Sequence, residues 1–131
     1  MQCFNTQYPL PITSPRQEAT NFHALLEREE ITRISTIEFL WEAKVFPELR
    51  GALVFGDPES KPLLHLPSAL IGYEGFEPRY TKDVLQRLGI PDFVFPGISA
   101  QANETFSREQ GGKYAIVLYR DSHGWDWRKV V

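Results

Sequence analysis

Apolar residues along this chain recur at two periods, every three to four positions in some stretches and every second position in others, so both helices and strands are expected. Ser14, Pro15 and Gln17 have the form of a helix start with a capping box. Behind them Ala19, Phe22, Leu25 and Leu26 form the stripe such a helix would bury, with His23 beside it on a wetter face. Ser35 and Glu38 repeat the capping pattern, and Ile37, Leu40, Trp41 and Val45 keep helical spacing, which predicts a second helix over 36–46. The same stretch also alternates as Ile37, Phe39, Trp41, Ala43 and Val45, the pattern of a strand.

The stretch from Ala69 to Gly89 is the most strongly punctuated. Ala69, Leu70 and Ile71 read as a short strand, Gly72 and Gly75 as a sharp turn carrying Tyr73 and Phe76, and Pro78 as the first turn of a helix. Val84, Leu85 and Leu88 form the apolar stripe of that helix over 78–88, and Gly89 followed by Pro91 stops it. A glycine turn feeding a helix can cradle phosphate, but neither a P-loop nor a dinucleotide fingerprint is present, and Glu74 and Glu77 would repel an anion.

Short apolar runs at Ala52 to Phe55 and Leu63 to Leu66 predict paired strands around the polar loop GDPESKP. Phe93, Val94 and Phe95 predict another strand, closed by Pro96 and Gly97. Ile98, Ala102 and Phe106 then recur every fourth residue, which fits a short amphipathic helix or a loop able to act as a lid. Tyr114 to Tyr119 is apolar on both faces and predicts a strand in a central position or one covered on both sides, followed by a turn at Asp121, Ser122, His123 and Gly124 and a last strand from Trp125. Together these elements predict one compact α+β domain over 1–131. Its sheet is mainly antiparallel, with two to four helices, a C-terminal hairpin and an extended N-terminal arm over 1–14 in which Pro9 and Pro11 limit pairing.

Composition narrows the function classes. The chain has 131 residues, enough for one hydrophobic core, and a net charge of −3 gives no electrostatic reason to expect nucleic acid or an anionic membrane surface. No apolar run is long enough to span a bilayer as a helix. Cys3 is the single cysteine and closes no internal disulfide, and the opening residues lack a secretion signal, so a soluble cytoplasmic protein is expected. No basic neighbour activates Cys3. His23, His65 and His123 are dispersed, so no metal and no cofactor is expected.

Two kinds of site remain. Trp125 and Trp127 fall on one face of the last strand, and with Tyr73 and Phe76 they are candidate binding aromatics; core packing is the plainer reading of the two indoles. Asp121, Ser122 and His123 have the residue types of a nucleophilic triad, but adjacent positions do not give relay geometry, and turn chemistry explains them. No catalytic residue is therefore assigned. The expected function is a small protein-binding module, such as an inhibitor, an immunity protein or a regulatory subunit acting on another protein. The alternative is a small enzyme or ligand-binding protein with a pocket near Tyr73, Glu74 and His123, where His123 would be the base, Asp121 or Glu74 its orienting carboxylate and Tyr73 a donor.

Overall fold

The computed structural model describes residues 14–27, 34–42, 49–56, 62–108 and 113–130. In chain order they form α1 (Pro15–Glu27), β1 (Ile34–Glu42), β2 (Leu49–Gly56), β3 (Pro62–Leu66), α2 (Phe76–Arg87), α3 (Val94–Arg108), β4 (Lys113–Asp121) and β5 (Gly124–Lys129). The strands make a five-stranded sheet in the order β3-β2-β1-β4-β5, with each neighbouring pair antiparallel. The predicted α+β class with a C-terminal hairpin is the observed one. The predicted N-terminal arm and the loop between β2 and β3 lie outside the described residues, except for Ser14 at one boundary and Gly56 and Pro62 at the other.

Of the segment predicted as a second helix over 36–46, residues 36–42 belong instead to β1, the central strand, and 43–46 lie outside the described residues. Ile37 and Phe39 point to one face and Leu40 to the other, and all three are buried. A helix buries one stripe, whereas β1, bonded to β2 and β4, has Ile37 and Phe39 in one apolar cluster and Leu40 in another on the opposite face. Ser35 caps no helix; its hydroxyl donates to the Gly56 carbonyl at 3.1 Å.

On one face lies the main core, where Ile37, Phe39, Val54, Leu66, Ile116 and Leu118 meet the helices. α1 sends in Phe22 and Leu25, α2 sends in Val84 and Leu85, and α3 sends in Val94, Ile98 and Ala102. A smaller cluster on the opposite face joins Leu40, Leu53, Phe55, Ala115 and Val117. No helix among the described residues is long and apolar enough to cross a membrane.

The start of α1 is as read: the Gln17 N–H donates to Ser14 Oγ at 3.1 Å. Its buried face differs, since Ala19 is exposed and Glu18 is buried. The Glu18 carboxylate accepts the Ser68 N–H at 3.0 Å. It is also bonded by Tyr80, whose phenol is pushed up by burial first and then by that bond and the charge of Glu18. One buried carboxylate thus ties α1 to α2 and to the turn after β3.

α2 ends as expected, on Gly89 at φ +76°. Gly89 N–H donates to the Gln86 carbonyl and Ile90 N–H to the Leu85 carbonyl, at 3.1 and 3.0 Å, the paired bonds of a Schellman cap. Two predicted strands are absent. Ala69, Leu70 and Ile71 are buried without joining the sheet, and Val94 and Phe95 open α3. Pro96 fits there because a first-turn residue needs no N–H partner. With Ile98 and Ala102 wholly buried against the sheet, α3 is a packed wall and not a lid.

Candidate functional site

The turn from Gly72 to Gly75 is built by polar side chains from its surroundings. Before it, the Ile71 N–H donates to the Tyr114 hydroxyl at 3.1 Å, and the Thr81 hydroxyl donates to the Leu70 carbonyl at 2.7 Å. At the turn itself, Gly72 N–H donates to Ser99 Oγ at 3.1 Å and Asn103 Nδ2 donates to the Gly72 carbonyl at 2.8 Å. Gly72 has φ +96°, and a Cβ there would lie 3.0 Å from the Ala102 methyl, so both conformation and space call for glycine.

This anchoring carries the next side chains outward. Tyr73 is 37% exposed, and its ring leans on Trp41 with centroids 5.9 Å apart. Trp41 in turn meets the buried Tyr114 ring edge-on at 6.4 Å. The Tyr73 phenol is pushed up to about 12 by burial, then by the charge of Glu77 and a hydrogen bond to it, with Arg50 pulling the other way. Glu74 is exposed. Phe76, the first residue of α2, is 79% exposed.

The C-terminal hairpin handles its aromatics differently. Asp121 uses its carboxylate to accept the His123 N–H at 2.8 Å, and Gly124 follows at φ +111°. Asp121 therefore shapes the turn through the backbone, as the local chemistry of aspartate favours. Trp125 and Trp127 are half-buried and pack against the main core. The Arg120 guanidinium lies 5.6 Å from the Trp125 ring. Trp127 rests on Gly97 of α3, where a Cβ would come within 2.2 Å of the indole. Phe93 leans on Trp127 with centroids 6.3 Å apart and is 59% exposed.

The two places are far apart. Trp41, which backs Tyr73, pairs with Tyr114 at one end of β4, whereas His123 lies beyond Asp121 at the other end. At about 3.3 Å per residue, the run from Tyr114 to Asp121 is roughly 23 Å. Among the described residues, Tyr73 and Glu74 are thus not brought together with His123 or Asp121.

His65 Nε2 lies 3.4 Å from the Arg50 carbonyl, and His23 is exposed beside Phe22. Among the described residues, no three His, Cys, Asp or Glu side chains are grouped to hold a metal. An interior cavity of about 10 Å³ lies between the sheet and α2, lined by Phe39, Val54, Leu66, Thr81, Val84 and Leu85. Thr81 already donates to Leu70, so this space offers little to a polar ligand.

Sequence reading missed three contributors. Phe93 was assigned to a strand, although its place just before a proline-containing helical turn leaves it outside the helix. Ser99 and Asn103 carried a usable signal: they follow Ile98 and Ala102 by one position each and so share a neighbouring face of α3. Comparison with protein-family models, with curated proteins and with solved structures yields no match, so function is argued from the residues themselves.

Proposed function

We propose that this chain is a protein-binding module that engages its partner through Tyr73 and Phe76. The observation that carries the reading is Phe76, 79% exposed at the start of α2, directly after a turn whose first residue and the two residues before it are held by four side-chain hydrogen bonds. A backbone already anchored by these bonds has little conformational freedom left to lose, so docking the aromatic it carries costs side-chain entropy alone. Aromatic anchors that fill a partner's pocket are typical of binding hot spots, with tyrosine among the most enriched residues. Inhibitors, immunity proteins and regulatory subunits all work in this way without chemistry of their own. A chain with one cysteine is compatible with a reducing cytoplasm, where we place it.

The test is Phe76→Ser. The variant should melt at the temperature of the wild type or above it, because no buried contact is lost, while proteins crosslinked to the wild-type chain in cells are no longer recovered. Recovery of the same proteins by folded Phe76→Ser would remove the turn from the binding surface.

A further inference from the structure

β5 is an edge strand among the described residues, and its pairing with β4 decides which of its backbone groups face outward. Val130 N–H donates to the Ala115 carbonyl at 2.9 Å. Antiparallel ladders alternate, so Gly124, Asp126 and Arg128 also bond to β4, while Trp125, Trp127 and Lys129 turn their N–H and C=O groups away. Such an edge is a template for another strand. The Trp127 N–H is covered by its neighbour, the Asp126 carboxylate, at 2.8 Å.

The order of residues makes this edge complementary to itself. A second copy running antiparallel and centred on Trp127 sets the two Trp127 residues opposite each other. Asp126 then faces Arg128 of the second copy, and Trp125 faces its Lys129. The aspartate and arginine fall in a non-hydrogen-bonded pair, where Cα atoms approach to about 4.5 Å and side chains are closest. On the other face an ammonium meets an indole. Two-fold symmetry repeats both contacts. Centring the pairing on Asp126 or on Arg128 would put like charges opposite each other, and only the register centred on Trp127 pairs Asp126 with Arg128. Phe93, exposed beside Trp127, stands next to the central residue of that register.

We propose that β5 is a homodimerisation edge, along which a second copy of this chain pairs antiparallel across Trp127 and joins the two sheets into one. On pairing, the Asp126 carboxylate exchanges the Trp127 N–H for Arg128 of the second copy. The cap closes the edge of the single chain, and the matching charge releases it. This surface is separate from Tyr73 and Phe76, so it stands apart from the function proposed above.

Sedimentation equilibrium of the whole chain tests it. The wild type should show a concentration-dependent monomer–dimer equilibrium. Arg128→Asp and Asp126→Arg should each weaken self-association by about tenfold or more, since each sets like charges opposite one another twice. Mixing the two variants should restore a dimer, now a heterodimer with both opposite-charge pairs intact. Lys129→Pro removes one outward N–H and no bond to β4, so it should weaken the dimer while circular dichroism melts stay close to wild type. A wild type that stays monomeric up to its solubility limit would overturn the proposal. So would a dimer indifferent to both charge reversals, or folded variants that fail to associate on mixing.

Discussion

At the turn before α2, hydrogen bonds from Ser99, Asn103, Tyr114 and Thr81 hold the backbone and leave Tyr73 and Phe76 outside. At the C-terminal hairpin the indole of Trp127 packs onto Gly97 of α3, and Phe93 takes the outer position. Both regions are rich in aromatic residues, and both touch α3. They differ in which part of the chain is fixed: polar bonds secure a backbone and release its side chains, whereas apolar contact secures the side chain itself. An aromatic residue is therefore available to a partner where the backbone beneath it is anchored without its help.

The largest expected effect is at the hairpin. Trp127→Ala should lower stability by about 2 kcal/mol, below the range for a fully buried indole because Trp127 is only half-buried. Denaturant titration at low protein concentration measures this without a contribution from self-association, and a loss near zero would mean the indole does not bind α3 to the sheet.

Tyr114→Phe tests the turn, since it leaves the buried Ile71 N–H without its acceptor. It should cost about 1–2 kcal/mol, and amide exchange at Ile71 and Gly72 should accelerate more than exchange at β5. Uniform acceleration would show that the turn is not anchored separately.

Phe76→Ser should change stability by no more than about 0.5 kcal/mol, as for surface positions generally. A drop comparable to that of Trp127→Ala would erase the contrast between the two regions.

The last effect, absent at neutral pH, is a pH dependence. The phenol of Tyr73 is raised from 10.0 to about 12 in the folded chain. Between those values the unfolded chain has lost the proton and the folded chain keeps it. The contribution is therefore whole below pH 10 and declines as pH rises toward 12. Following the tyrosinate ultraviolet band in wild type and Tyr73→Phe should show that the variant has lost a late-ionising tyrosine; loss of one that ionises near 10 instead would place Tyr73 fully in water.

Capping signals were legible where the residues involved are neighbours in sequence. Ser14 supplies the cap of α1 and Gly89 ends α2, each within one turn of the groups it serves. The two-residue turn at Ser122 and His123 was legible for the same reason. The segment 36–46 was not, because its helical and alternating patterns share Ile37, Trp41 and Val45. Burial of both Phe39 and Leu40 decides between them, and that depends on β2 and β4 lying on either side.

The same distinction separates the whole of this protein into two parts. Sequence alone determined the α+β class, the start of α1, the stop of α2, the hairpin and the interior place of β4, because short-range hydrogen bonds and alternation of apolar residues need only neighbours a few positions away. Tertiary structure decided that β1 is a strand, that Val94 begins a helix, and that His123 stands at the far end of β4 from Tyr73. It also decided which aromatics stay outside. Phe76 and Phe93 have the same side chain as the buried Phe22 and Phe39. What distinguishes them is whether another element arrives to cover them, and that information lies in residues distant along the chain.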